Sequence, residues 1–266
     1  MNLIKAEFYK AMKEKWVWIG LITVFIVEIL TLLIQQRIIE SQDLLPISAF
    51  EMMSHLIKNG IVVSLFFVLY KSAVSISSER SSKTINIIIS KSIARWKYLM
   101  AKILNYFLIS ILFYIVVIFV AFIISAIYGN FESLSVENYV IITSGTLWLD
   151  LFLSFLLILL PTLAIISVSL FCSVITKHSG LSITLLIVFF LLMYFLDVSG
   201  DIFNFDSNSK SLMFYLTYPL NNYLNLSSGI LNRWTPTIYF STIGSILYSG
   251  IFFTFSFLYF RKCDIT

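Results

Sequence analysis

Runs such as "LFLSFLLILL" at 151–160 and "LLIVFFLLMYFL" at 185–196 carry no charge and do not alternate, and they decide what this chain can fold into. About 20 apolar residues coiled as a helix cross a bilayer with every backbone polar group satisfied inside the segment. A spanning β-barrel would instead show segments of about ten alternating residues. Six stretches qualify as helical spans: Trp16 to Ile34, Gly60 to Ile76, Ile103 to Tyr128, Leu147 to Ser173, Leu181 to Leu196 and Ile238 to Phe260. The third is long enough to tilt or project past the lipid, and the fifth, at sixteen residues, is short. With 59% hydrophobic and 12% charged residues the composition lies far from soluble averages. The expectation is an all-α integral membrane protein, a single transmembrane domain over 1–266, with no Gly-rich or Pro-rich linker to divide it.

Lys and Arg, which mark cytoplasmic loops, then set the orientation. On one side fall Lys5, Lys10, Lys13, Lys15, the seven from Lys71 to Lys102, Lys177, Arg261 and Lys262; the other keeps only Arg37, Lys58, Lys210 and Arg233. Both termini are therefore expected in the cytoplasm. The net charge of +4 follows from topology and the anionic inner leaflet, with no need for nucleic acid. The basic start precedes a span-length run without a small-residue cleavage site, so it is expected to remain as an anchor. Within it Ile4, Phe8, Ala11, Met12 and Trp16 recur at helical spacing while Lys5, Lys10 and Lys13 take other faces, which predicts an N-terminal amphipathic helix in the inner interface.

Visible enzymatic chemistry is lacking. The sequence contains no GxxxxGK[ST] phosphate loop, no HExxH and no GxSxG elbow. Cys172 and Cys263 fall at the reducing cytoplasmic ends of two spans, and His55 and His178 on opposite sides, so no metal site is expected. An intramembrane enzyme would need a reactive pair at one depth, whereas Glu28 and Asp150 fall at different depths.

The loop between the second and third spans, "SERSSKTINIIISKSIARWKYLMAK", concentrates six basic residues. Its centre, "SSKTINIIISKS", suits a short helix at the membrane edge, and its isoleucines are also compatible with a strand. This loop resembles that of the six-span permease subunits of type-2 ABC transporters, in which an acid, a small spacer, G-T-hydrophobic, P-x-S-R and a Lys follow in order. Here Glu79 stands for the acid, Lys83-Thr84-Ile85 for G-T-hydrophobic, Ser92 to Arg95 for the end of the P-x-S-R element, and Lys102 for the final Lys. Lys83 replaces the Gly and no Pro precedes Arg95. The start "IKAEFYKAMKEKWVW", the segment "YPLNNYLNLSSG" and the close "FRKCDI" are similar to the same family in the same order.

That resemblance implies two six-span subunits, the second being the same or a homologous chain, around a path, and a coupling helix seated on a separate ATPase subunit, present twice, which binds ATP and Mg. No cofactor is implied for this chain. Arg80, Lys83, Lys91, Arg95 and Lys97 would meet the anionic leaflet and acidic groups of the ATPase, with Glu79 and Thr84 positioning the helix and Ile85 among the residues that couple it to the ATPase. The implied setting is a bacterial plasma membrane and the implied activity is export of an amphipathic or hydrophobic substrate, with a peptide toxin or antimicrobial preferred. A non-transporting scaffold or sensor subunit would have the same composition and topology.

Two residues inside the spans stand out. Thirteen Leu, Ile, Val and Phe residues from Val17 to Ile34 contribute about −0.3 to −0.6 kcal/mol each to insertion, against roughly +3 kcal/mol for the central acid Glu28, so the span inserts with its acid. Glu28 is expected to line the substrate path or to close it by pairing with Ser, Thr or Asn of another span, the alternative being a protonated structural group. Pro161 is expected to kink the fourth span, and the aromatic-rich segment from Asp197 to Thr237 to form a hairpin or interfacial helix at headgroup depth.

Overall fold

A computed structural model describes residues 2–42, 48–84, 94–136, 139–202 and 237–262. Among the described residues seven helices follow one another, α1 (Asn2–Lys13), α2 (Lys15–Gln42), α3 (Ala49–Ser81), α4 (Arg95–Tyr128), α5 (Ser144–Ile175), α6 (Ser179–Ile202) and α7 (Thr237–Lys262). Between α4 and α5 a small antiparallel hairpin pairs β1 (Leu134–Val136) with β2 (Tyr139–Ile142). Five stretches among the described residues are long and apolar enough to cross a membrane: Lys15–Ile38, Ala49–Ser81, Arg95–Tyr128, Ser144–Ile175 and Ser241–Arg261. The described apolar part of α6, Ser179–Leu192, is shorter, so five of the six expected spans stand on length and composition. The coupling helix expected over the isoleucines from Ile85 lies outside the described residues, as does most of the aromatic-rich segment before α7.

The helices overrun the stretches that hydropathy marks out. At 1.5 Å per residue the 33 residues of α3 extend about 50 Å, well beyond a hydrocarbon core of about 30 Å. Its extra turns precede Gly60, where polar residues alternate with Phe50, Met52, Met53 and Leu56, all buried against neighbouring helices. Ser48 starts the helix as its N-cap, its hydroxyl accepting from the Glu51 N–H at 3.2 Å.

α3 is the central element, packed against α2, α4, α5 and α6. Small side chains allow that approach, as they do generally where lipid supplies no hydrophobic drive between helices. Ser72 of α3 meets Ser169 of α5, Ser173 accepts from the Ile76 and Ser77 N–H groups at 3.0 and 3.1 Å, and Ser182 of α6 donates to the Ala73 carbonyl. α5 and α7 pack together and run parallel, for Tyr259 donates to the Ile175 carbonyl at 3.5 Å near both C-termini. One end of the bundle gathers α1 and most of the described Lys and Arg; the opposite end holds an aromatic cluster of Phe50, Phe122, Phe131 and Trp148. The outward faces of α2 and α7 are apolar and exposed, including Ile22, Phe25, Leu33, Ile246, Leu247 and Phe255.

Candidate functional site

The basic end is organised around Glu79 in the last turn of α3. Its Oε1 accepts from Lys102 Nζ at 2.8 Å and from Lys10 Nζ at 3.1 Å, and its Oε2 accepts from the Tyr98 hydroxyl. Lys102, only 2% exposed, also donates to Glu7 Oε2 at 2.7 Å. A buried ammonium is tolerable here because two carboxylates surround it; removing one partner from such a set typically costs about 3–5 kcal/mol. Helical spacing assembles the cluster. Tyr98 and Lys102 stand four apart on α4, Glu7 and Lys10 stand three apart on one face of α1, and Glu14 follows four residues on, just past the end of that helix. Glu14 extends the contact by accepting from Lys71 of α3 at 3.1 Å. Glu7, Lys10, Glu14, Lys71, Glu79 and Lys102, with Ser75, Ser78, Asn105 and Tyr106, line a polar cavity of about 130 Å³ between α1, α3 and α4.

Beyond Glu79 the chain turns sharply. Lys83 has φ 57, the left-handed region, and occupies the position where the resembled loop carries Gly. Its N–H reaches the Arg80 carbonyl at 3.1 Å, and Thr84 Oγ1 donates back to the Glu79 carbonyl at 3.1 Å, closing the end of α3. Lys83 is exposed, and Arg80 Nη2 is buried without a partner among the described residues. Ile85 and Lys91 lie outside the described residues.

Arg95, half-buried at the start of α4, reaches the end of α7. Its Nη1 donates to the Phe260 and Arg261 carbonyls at 2.8 and 2.9 Å, and its guanidinium lies 6.0 Å from the Phe260 ring centroid. A cation at a helix C-terminus satisfies carbonyls that have no intrahelical donor and complements the dipole, so Arg95 fastens α7 to the start of α4. Tyr98 stacks on the same Phe260 ring with centroids 6.0 Å apart. Lys97 stays at the surface with its ammonium 5.7 Å from the Trp96 ring centroid.

Glu28 is fully buried between α2, α3 and α4, and neither carboxyl oxygen has a hydrogen-bond partner among the described residues. The expected pairing with Asn or Thr of another span is absent there: Asn59 donates to Thr31 Oγ1 at 3.2 Å, and Thr31 to its own helix at Val27. Gly60 makes the space, since a Cβ on it would stand 2.9 Å from Glu28 Oε1 and 2.7 Å from Val117. Pro161 is buried inside α5, which remains α-helical through it; Thr162 donates to the Ile158 carbonyl at 2.8 Å and meets the Tyr114 hydroxyl at 2.9 Å.

Glu7, Glu14, Lys71 and Tyr98 had not been singled out from sequence. The periodic Glu7, Lys10 and Glu14 were the available signal, obscured because the apolar residues of the same helix made lipid the expected partner of its buried face. No group of three or more His, Cys, Asp or Glu among the described residues could hold a metal ion. A family model described as "ABC-2 family transporter protein" matches residues 3–194, from α1 through most of α6. No curated protein matches the chain.

Proposed function

The chain belongs to the ABC-2 family of transporter proteins, and from that premise we propose that it is the membrane-spanning permease subunit of an ATP-driven exporter, powered by a separate ATPase subunit that docks at the basic end. The observation that carries the reading is the anchorage of both ends of the loop between α3 and α4. Glu79 and Thr84 fix its start against α1 and α4, and Arg95 fixes its end against α7. A loop held this way transmits a push from a soluble partner to four helices at once. Lys83 and Lys97 at the surface and the half-buried Arg80 are the described cations of this loop available to that partner, with Ile85 and Lys91 in the segment between; Glu79, Thr84 and Arg95 act as positioning residues.

Six crossings complete the topology. Because α5 and α7 run parallel, the chain between them must return to the opposite end, and the 24 residues of α6, about 36 Å as a helix, have the reach. With the basic end cytoplasmic, two such subunits, identical or homologous, enclose a path in a bacterial plasma membrane for an amphipathic substrate, preferably a peptide. Glu28, enclosed within one subunit in this conformation, would reach that path only if α2 separates from α3 and α4.

The test is co-purification of the tagged chain from its native host with any ATPase subunit, followed by substrate-stimulated hydrolysis. Retention of an ATPase that is lost on Arg80→Glu with Lys83→Glu, while the permease stays in the membrane, supports coupling at this loop. Failure to recover an ATPase in several mild detergents would overturn the reading in favour of a scaffold or sensor subunit.

A further inference from the structure

The two faces of α1 divide its charges. Glu7, Lys10 and Ala11, with Glu14 just past the helix end, turn toward α3 and α4, where the acids are consumed by Lys102 and Lys71. Lys5, Phe8, Tyr9, Met12 and Lys13 follow the helical repeat along another face. Lys5 and Lys13 are exposed and meet no carboxylate among the described residues; the Lys13 ammonium lies 4.4 Å from the Tyr9 ring centroid. Acids inside and unpaired lysines outside make this face cationic although α1 carries both signs.

The face is continuous with an apolar groove. Lys5, Ala6, Phe8, Tyr9 and Met12 border an open hollow of about 480 Å³. Phe8 is also one wall of a second hollow, of about 290 Å³, whose other wall is Leu108, Ile111, Leu112, Ile115 and Val116 of α4. Those α4 residues form one helical stripe about 12 Å long, and Leu108 and Ile115 are 43% and 56% exposed. A cationic rim that leads over an aromatic ring into an apolar trough complements a molecule with a phosphate at one end and a hydrocarbon chain at the other.

We propose that this face is a seat for an anionic phospholipid, its phosphate at Lys5, Lys13 adding attraction beside it, and one acyl chain in the groove between Phe8 and α4. A zwitterionic lipid fills the same trough but gains little from the rim, so charge discriminates between the two. Bound there, the lipid braces α1 from outside while the Glu79–Lys102 cluster holds it from inside. The inference is independent of whether the chain transports.

The experiment uses the purified full-length chain in mild detergent with added phosphatidylglycerol or phosphatidylcholine, read by thermal unfolding and by native mass spectrometry of retained lipid. Phosphatidylglycerol is expected to raise Tm more and to be retained preferentially, with the preference falling about fivefold for each of Lys5 and Lys13 replaced by Met. Leu112→Trp, which fills the trough, is expected to reduce retention of both lipids; should that variant not fold, Leu108→Trp at the exposed edge does the same. Equal shifts from the two lipids, a preference that survives the double Met variant, or a shift reproduced by inorganic phosphate alone would each overturn the proposal.

Discussion

Lys83 is held in a conformation that L-residues with side chains visit at a cost of roughly 1–2 kcal/mol. Lys83→Gly is therefore expected to raise Tm by a few degrees in detergent, since glycine removes that cost at about the loss of backbone entropy that a turn already restricts. If Lys83 also contacts an ATPase, the same variant lowers stimulated hydrolysis while stabilising the subunit, a combination that a purely structural lysine would not give. A lower Tm would mean that the Lys83 side chain contributes more than its backbone strain subtracts. The Glu79 cluster ranks its members by what each deletion leaves behind. Lys102→Met strands Glu7 in a buried site and leaves Glu79 with only Lys10 and Tyr98, and should cost about 3–5 kcal/mol. Tyr98→Phe keeps the ring on Phe260 and removes one hydroxyl, so about 1–2 kcal/mol is expected. Thermal or denaturant unfolding of the two variants, side by side, checks the order; equal losses would show that the cluster is not organised by the lysine. Glu79 and Lys102 were marked in the sequence by the resemblance of their loop to the permease pattern, which did not pair them with each other. Their partners Glu7 and Lys10 were not, because the face that a short amphipathic helix turns inward depends on what the rest of the bundle offers it. Here it offered a buried ammonium.

At the scale of elements, the approach of α2, α3 and α4 depends on Gly60. Gly60→Ala places a methyl 2.7 Å from Val117 Cγ1 and 2.9 Å from the Glu28 carboxyl, closer than atoms pack. Overpacking of this kind typically costs about 1–3 kcal/mol, and Val117→Ala, by clearing the hydrocarbon side of the contact, should return part of it. Unfolding measured on the single and double variants tests this: no recovery in the double variant would locate the conflict at Glu28 instead. Span positions were readable from hydropathy because lipid contact selects apolar residues. Helix ends were not, since the first turns of α3 and α4 bury one face against protein, through Phe50, Met53, Tyr98 and Leu99, and need not be apolar on every side. Lys102, buried within α4, marks how far that helix is shielded by its neighbours. Pro161 illustrates the converse: a residue that usually breaks helices leaves α5 continuous between α3 and α7.

The assembled bundle turns local contacts into a topology that can be tested. Arg95 binds the α7 carbonyls at Phe260 and Arg261, and Tyr259 meets Ile175, so the start of α4 and the ends of α5 and α7 share one end of the molecule. The basic α1 lies at that end through Lys102, and the link 176–178 between α5 and α6 joins it because it directly follows α5. Asn130, past the far end of α4, belongs to the opposite end with the aromatic cluster. From the excess of Lys and Arg at the first end, that end is expected on the cytoplasmic side. In a Cys263→Ser background, where the remaining Cys172 is 1% exposed, single cysteines at the exposed positions Asn130 and His178 report the two ends. A membrane-impermeant maleimide applied to intact cells is expected to label Asn130→Cys at once and His178→Cys only after the membrane is opened. The reverse pattern would invert the orientation and remove the cytoplasmic loop on which coupling depends. Labelling of both from outside would break the parity that makes α5 a full crossing, and with it the placement of α6 as the return between two parallel helices.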